Sequence, residues 1–158
     1  MEIVKPIIIV GTGRSGTTIF HRILAQYPHV TWFTKILEFF PDKPRLNRYL
    51  HYIMDVPLLG RLVKTKIKPG EVYPFWDYYY RGFSGTIRDL SPEDVTIKVK
   101  KDIRHAFQKL LSKKRHRLLI KITGWPRIGF LKEIFPDAKF INVIRDGRAV
   151  AYSLMNVP

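Results

Sequence analysis

Apolar and polar positions along this chain are arranged in blocks that predict strands separated by helices. Residues 7–10 are continuously apolar and β-branched, which is typical of a parallel strand covered on both faces. Residues 118–122 and 139–144 predict two more strands, and residues 30–33 predict a short one. Because helical segments separate them, we expect an α/β fold with a central parallel sheet in a three-layer α/β/α arrangement.

Helices are predicted where apolar residues recur every three or four positions. This spacing is found in residues 19–27, 95–110, 128–135 and 150–155. Ser91 and Pro92 predict a helix start, since serine caps a helix and proline suits its first turn. Pro126 predicts another helix start for the same reason.

Residues 41–90 form the least regular part of the sequence, with five prolines and many aromatic residues. Their spacing predicts helices at residues 45–54 and 57–64. Residues 73–83 instead predict an irregular loop. Its aromatic side chains either pack onto the core, which we favour, or stack on bases or sugars. We therefore predict a single domain over residues 1–158, with an irregular aromatic-rich insertion at about 41–90.

Composition narrows the classes of function. The 158 residues are 46% hydrophobic, which is enough for a core and argues against global disorder. The chain has no cysteine, which excludes a disulfide framework, a cysteine-based zinc site and thiol catalysis. No stretch reaches the ~18 apolar residues of a membrane span, and the first strand begins too early for a signal peptide. We predict a cytoplasmic location and no transmembrane segment.

Charge points to an anionic ligand. There are 28 lysines and arginines against 13 acidic residues, a formal net charge of +15. Such a field attracts phosphate or sulfate esters, nucleic acid, acidic glycans or anionic lipid. A basic nucleic-acid-binding module is one alternative. However, the basic residues are dispersed and no nucleic-acid motif is present, so we expect no nucleic acid.

Residues 11–18 read GTGRSGTT and lie between the first strand and the first helix. Their glycines allow a sharp turn and close backbone approach to a ligand, and the helix start that follows favours an anion. Gly11 and Gly16 have the spacing of a P-loop, but Thr17 stands where that motif has its lysine. The cation is Arg14, inside the loop. The pattern predicts a phosphate-binding loop that does not hold a magnesium-bound triphosphate.

A basic residue lies at or just after the end of each of the three long predicted strands. Arg14 follows the first of these strands, Lys121 lies near the end of the next, and Arg145 follows the last. Ligands of parallel sheets bind beyond the carboxyl ends of the strands, so these side chains are expected at one edge. Ser153 comes eight residues after Arg145, about two helical turns on, and spacing alone does not pair the two.

Two segments resemble the sulfotransferase family. GTGRSGTT resembles the loop for the 5′-phosphosulfate of 3′-phosphoadenosine 5′-phosphosulfate (PAPS), and FINVIRDGRAVAYSL resembles the motif for its 3′-phosphate. The resemblance implies a P-loop-like sulfotransferase fold and sulfuryl transfer to a hydroxyl or amine, with adenosine 3′,5′-bisphosphate as product and no metal. It assigns donor binding to Gly13, Arg14, Ser15, Gly16, Thr17, Thr18, Arg145 and Ser153. Because PAPS carries a phosphate at each end, we expect Arg14 and Arg145 to lie a nucleotide's length apart in one cleft.

The catalytic groups depart from those of the family's cytosolic small-molecule members. Arg14 stands where those members have a catalytic lysine. Bacterial-type members also have arginine at this position. Ile19 replaces a tryptophan that stacks on adenine, and Thr123 stands near the position of the histidine base. Lys121 matches a strand lysine of those members. Its side chain either contacts the sulfuryl group or only extends from the strand end towards solvent.

The general base must therefore be sought elsewhere. Glu38 follows the first helix and the short strand, where other branches of the family have a catalytic glutamate. It completes a predicted catalytic set of Arg14, Glu38 and Lys121. Asp77 and Glu71 are rival candidates, and His21 is the histidine nearest the loop.

The sequence leaves the acceptor open as a small molecule, a glycan or a lipid, and it leaves the oligomeric state open. A P-loop-like nucleotide-binding protein of another kind is an alternative function. The chain ends directly after the second motif, whereas sulfotransferases run on further. We therefore expect a fold truncated at the C-terminus: a fragment, a truncated gene product or an unusually short member.

Overall fold

The computed structural model describes residues 1–156, so the last two residues of the predicted domain lie outside the described residues. None of the helices in this range is both long and apolar enough to cross a membrane. In chain order the elements are β1 (Ile7–Gly11), α1 (Thr17–Leu24), β2 (Val30–Thr31), α2 (Ile36–Phe39), α3 (Pro44–Asp55), α4 (Pro57–Lys64), α5 (Tyr73–Tyr79), a 3₁₀ turn (Pro92–Asp94), α6 (Ile97–Leu110), β3 (Arg117–Thr123), α7 (Ile128–Ile134), β4 (Lys139–Val143) and α8 (Gly147–Met155).

The four strands form a parallel sheet in the order β2-β3-β1-β4. Gly11, the last residue of β1, pairs with Thr123 of β3 and with Val143 of β4. The carboxyl ends of these three strands therefore reach one edge in register, and the loops that follow them meet there. The α/β class and the central parallel sheet predicted from the sequence are confirmed.

Apolar side chains cover both faces of the sheet. On one face, Ile8 and Ile120 join a cluster that includes residues of α5, α6 and α7. On the other face, Ile9 and Leu119 pack with Met54 of α3 and with the end of α1. Successive strand residues point to opposite faces, so two closed layers explain why the apolar run of β1 is continuous.

The aromatic segment after residue 72 is not the irregular loop that the sequence predicted. It begins with the helix α5, in which Phe75 and Trp76 are fully buried. Phe75 lies 4.7 Å from Phe33 between ring centroids, and Trp76 lies 5.4 Å from Phe107. Aromatic residues have only modest helix propensity, and burial against the core overrides it here. The prediction that aromatic side chains of this segment pack onto the core is confirmed for Phe75 and Trp76.

The short strand β2 ends two residues earlier than predicted. Beyond its end, hydrogen bonds from side chains of α3 satisfy the backbone groups in place of a neighbouring strand. The buried amide of Asn47 donates to the carbonyl of Trp32 over 2.9 Å and accepts from the backbone N–H of Thr34 over 2.7 Å. His51 is also buried and donates from Nε2 to the Trp32 carbonyl over 2.9 Å.

Two predicted helix starts are also displaced. The turn after Ser91 stops at Asp94, whose carboxylate accepts from the Ser91 backbone N–H over 2.8 Å, and α6 begins only after the capping residue Thr96. α7 begins two residues after Pro126, because Arg127 has a φ of 50°, outside the helical range.

α1 turns its apolar residues outwards. Ile19, Phe20 and Ile23 are 64%, 48% and 55% exposed, whereas Thr17 and His21 are buried towards the sheet. The apolar spacing therefore predicts the helix but not its orientation.

Candidate active site

A pocket of about 350 Å³ lies at the edge where β1, β3 and β4 end, and we call it the strand-end pocket. It contains three cations, Arg14, Lys121 and Arg145, and one carboxylate, Glu71. Each cation comes from a different strand or from the loop that follows it, so the parallel register brings them together. The lining residues are Gly13, Arg14, Gly16, Thr17, Thr18, Ile19, Glu71, Lys121, Thr123, Arg145 and Ser153.

The loop between β1 and α1 is tightly wound. Gly16 has a φ of 98° and Arg14 a φ of 64°, both in the left-handed region that glycine adopts most readily. The Ser15 hydroxyl donates to the Thr12 carbonyl over 2.6 Å and braces the turn from inside. Because α1 starts at Thr17, its first backbone N–H groups have no acceptor within the helix. These groups and the helix dipole favour an anion at this end of the pocket.

Two hydrogen bonds join this loop to the segment after β4. Nε of Arg14 donates to Oγ of Ser153 over 3.0 Å, and Nη1 of Arg145 donates to the backbone carbonyl of Arg14 over 3.0 Å. The segment after β4 and the second turn of α8 thus both contact Arg14, which spacing alone did not predict. The expected shared cleft is present. The expected nucleotide-length separation is not, because the Arg145 side chain lies along the loop itself.

Lys121 is the buried cation of the pocket. Its Nζ forms an ion pair with Glu71 Oε1 at 2.6 Å and donates to Thr18 Oγ1 over 2.9 Å. The second oxygen of Glu71 accepts from Thr123 Oγ1 over 2.7 Å. Only 8% of the Lys121 side chain and 17% of the Glu71 side chain are exposed. The ammonium group is therefore fixed from both α1 and the segment before α5.

Glu71 is held as a carboxylate. Burial alone would raise the pKa of Glu71, but hydrogen bonds from Lys121 and Thr123 outweigh it and hold the pKa below its ordinary value. Nearby, the Tyr73 hydroxyl donates to the Thr123 carbonyl over 2.9 Å, and burial raises the pKa of Tyr73. These contacts anchor residues 71–73 to the end of β3.

His21 lies one turn after Thr18 and faces the sheet. It is 1% exposed, and within the described part of the chain neither ring nitrogen has a hydrogen-bond partner. Burial, together with the charge of Lys121, lowers the pKa of His21 to about 3. His21 is therefore a neutral imidazole close to the site, and it does not line the pocket.

The pocket collects most of the residues predicted from the sequence. Ser15 is turned into the loop and does not line it. Glu38 is exposed on α2 and is likewise absent from the lining. Both oxygens of Asp77 accept hydrogen bonds from Ser84, at 2.9 and 2.6 Å. Glu71, a rival candidate in the sequence, is the carboxylate that the fold brings to the pocket.

The charge balance of the site suits a polyanion. Three cations face one carboxylate, and the carboxylate is already paired with Lys121. Within residues 1–156, no group of three or more histidine, cysteine or acidic side chains could hold a metal ion.

A parallel α/β sheet with a Gly-rich loop and a cationic pocket at its carboxyl edge defines a protein of the α/β class, and this edge is where such sheets place their ligand sites. A sequence model described as "Sulfotransferase family" matches residues 6–157. The chain therefore belongs to the sulfotransferase family. The matched range includes both segments that carried the resemblance.

The fold is similar to the crystal structure of sulfotransferase STF9 from Mycobacterium avium, with a TM-score of 0.62 and 21% sequence identity. The match covers 99% of this chain and 46% of that chain, so this chain spans a little less than half the length of that protein. At this identity the likeness supports the fold alone. No curated protein sequence matches the chain.

Proposed function

We propose that this protein binds PAPS and transfers its sulfuryl group to a hydroxyl or amine of a small-molecule, glycan or lipid acceptor. The observation that carries the proposal is the convergence of Arg14, Lys121, Arg145 and Ser153 beside the Gly-rich loop in one pocket. Membership of the sulfotransferase family supports the reaction class. The surplus of positive charge suits a donor that carries two phosphates and a sulfuryl group.

In this proposal the two ends of the donor are bound by different elements. The backbone N–H groups at the start of α1 and the hydroxyls of Thr17 and Thr18 bind the 5′-phosphosulfate. The guanidinium of Arg145 binds the 3′-phosphate through paired N–H groups after its side chain moves away from the Arg14 carbonyl, to which Nη1 donates in this structure, and the Ser153 hydroxyl adds a further donor.

Sulfuryl transfer breaks the bond between sulfur and the bridging oxygen of the donor, while a bond forms from sulfur to the acceptor oxygen or nitrogen. The bridging oxygen leaves on the 5′-phosphate of adenosine 3′,5′-bisphosphate, and a general base takes the acceptor's proton. Arg14 and Lys121 stabilise the negative charge on the leaving oxygen and on the sulfuryl oxygens. Arg14 acts by its charge rather than as an acid, because arginine does not lose its proton in proteins.

Two carboxylates are candidates for the base. Glu71 lines the pocket and is ionised, so it can receive a proton there. Glu71 is paired with Lys121, so charge stabilisation by Lys121 and proton acceptance by Glu71 are linked. A sulfuryl group that attracts the Lys121 ammonium also releases the Glu71 carboxylate. Glu38 is the second candidate, from its place in the family pattern. We favour Glu71.

Calorimetric titration with adenosine 3′,5′-bisphosphate tests the donor site. We expect metal-independent binding by the unsubstituted chain, and Arg14→Ala and Arg145→Ala should each weaken it by about tenfold or more. Arg81→Ala is the matched control, because Arg81 is exposed and does not line the pocket. Absence of binding at millimolar ligand, or an equal loss in the control, would contradict the proposal. Transfer of labelled sulfuryl from PAPS to acceptors in a cell extract then tests the reaction.

A further inference from the structure

A second cavity lies at the other end of α1 from the strand-end pocket. Its volume is about 420 Å³, within the ~300–1,000 Å³ typical of small-molecule sites. It is bounded by the end of α1, the end of α3, residues 67–69 and the turn before β3, so it lies at the amino edge of the sheet. We call it the amino-edge cavity, and it shares no lining residue with the strand-end pocket.

The inner wall of the amino-edge cavity is apolar. Ala25, Trp32, Met54 and Ile67 line it. Nε1 of Trp32 already donates to the Ala25 carbonyl over 3.2 Å, so the indole offers the cavity only apolar surface. An apolar molecular body can therefore enter without leaving these polar groups unpaired.

The rim of the cavity is cationic. The exposed side chains of Arg22, Lys68 and Lys114 form it, and the buried Arg115 lies behind them, against a single carboxylate, Asp55.

Asp55 does not neutralise Arg22 and Lys68, because its oxygens are already paired with Arg115 and Lys114. Arg115 binds both of them, from Nη2 at 2.7 Å and from Nε at 3.1 Å, and Lys114 lies 3.4 Å from one of them. Arg22 and Lys68 are exposed, and neither forms an ion pair with any residue that the structure describes. Two uncompensated cations therefore stand at the mouth of an apolar cavity.

We propose that the amino-edge cavity binds an organic anion, a small molecule with an apolar body and a sulfate, sulfonate or carboxylate group. The body packs against Trp32 and Met54. The anionic group is bound at the rim by Arg22, whose planar fork suits oxyanions, and by Lys68. The inference does not depend on the proposed function, since the two sites lie at opposite edges of the sheet.

Calorimetric titration of the full chain with naphthalene-2-sulfonate tests this site. We expect one bound probe per chain, and the double variant Arg22→Glu/Lys68→Glu should bind at least about tenfold more weakly. The control Lys98→Glu/Lys101→Glu makes the same change in net charge on the exposed face of α6 and should keep the affinity. Naphthalene-2-carboxamide, which lacks the charge, and inorganic sulfate, which lacks the apolar body, should both bind more weakly.

A third variant tests the cavity without changing any charge. Ala25→Leu adds volume to the apolar wall and should also weaken binding. All substituted rim residues are exposed, so circular dichroism should report an unchanged fold. Equal loss in the α6 control would show a general charge effect and overturn the proposal. Binding that is lost in Arg145→Ala but kept in the rim variant would assign the probe to the strand-end pocket and would also overturn it.

Discussion

Arg14 and Ser153, 139 residues apart in the chain, are joined by a hydrogen bond of 3.0 Å from Nε to Oγ. Arg14 belongs to the loop after β1, and Ser153 belongs to α8 after β4. The bond therefore fastens the loop to the helix on one side of the strand-end pocket. It uses only Nε, so within residues 1–156 the two terminal nitrogens of the guanidinium have no hydrogen-bond partner.

Replacing Ser153 tests this link. We expect Ser153→Ala to weaken the binding of adenosine 3′,5′-bisphosphate by about 1 kcal/mol, since one hydroxyl hydrogen bond is lost. Calorimetry should show a smaller loss for adenosine 5′-monophosphate if the hydroxyl binds the 3′-phosphate. Ser153→Thr keeps the hydroxyl and should retain most of the affinity. Unchanged affinity in Ser153→Ala would exclude a role for this residue in binding.

The two candidate bases can be separated by comparing binding with transfer. Glu71→Gln removes a negative charge from the strand-end pocket and releases Lys121, so it should bind the anionic product at least as tightly as the unsubstituted chain. If Glu71 is the base, the same variant should lose about 100-fold or more in the transfer rate. Glu38→Gln is the matched comparison and should leave both measurements unchanged. The reverse pattern, with transfer lost only in Glu38→Gln, would assign the base to Glu38.

Gly11 ends β1 at a point where no side chain fits. A Cβ there would lie 2.7 Å from the Val143 carbonyl oxygen and 2.9 Å from the Thr17 side chain. Gly11→Ala should therefore lower the free energy of unfolding by about 1–3 kcal/mol, as overpacking does. At Gly13 a Cβ would meet no atom within 4 Å, so Gly13→Ala should change stability by about 0.5 kcal/mol or less. Urea denaturation measures both, and equal losses would show that the crowding at Gly11 is relieved by local adjustment.

Local sequence patterns were sufficient to predict the strands and the residues that lie at their carboxyl ends. The apolar run of β1 gave a buried parallel strand, and the residues after β1 and β4 were expected at one edge because parallel strands end together. Arg14, Lys121 and Arg145 could be assigned to one cleft for that reason, before any contact was known. Pairing Ser153 with these arginines required the family resemblance, because the contact of α8 with the loop after β1 is not encoded in spacing.

Features set by long-range contacts could not be predicted. Glu71 reaches the strand-end pocket through bonds to Lys121 and Thr123, about fifty residues away in sequence. Nothing in its local sequence separates it from Asp77. The helix α5 has the same origin, since burial of Phe75 and Trp76 in the core overrode local preference. The outward apolar face of α1 likewise depends on which side of the helix the fold buries.

Two buried histidines make the stability of the fold depend on pH. Burial lowers the pKa of His21 to about 3, and burial, partly opposed by the hydrogen bond to Trp32, lowers the pKa of His51 to about 4, against an ordinary 6.5. As the pH falls below about 6.5, the unfolded chain therefore binds two protons that the folded chain does not. The free energy of unfolding should fall with pH between about 6.5 and 4, by up to about 2.7 kcal/mol per pH unit from these two groups.

Substitution of one histidine isolates this effect. His51→Gln removes one of the two titrating groups, while Asn47 still donates to the Trp32 carbonyl. Urea denaturation between about pH 7.5 and 4.5 should then show about half the histidine contribution to the slope. His105→Gln, at an exposed position of α6, should leave the slope unchanged. A His51 imidazole that titrates near its ordinary pKa in the folded chain, measured by NMR, would contradict the neutral burial on which this prediction depends.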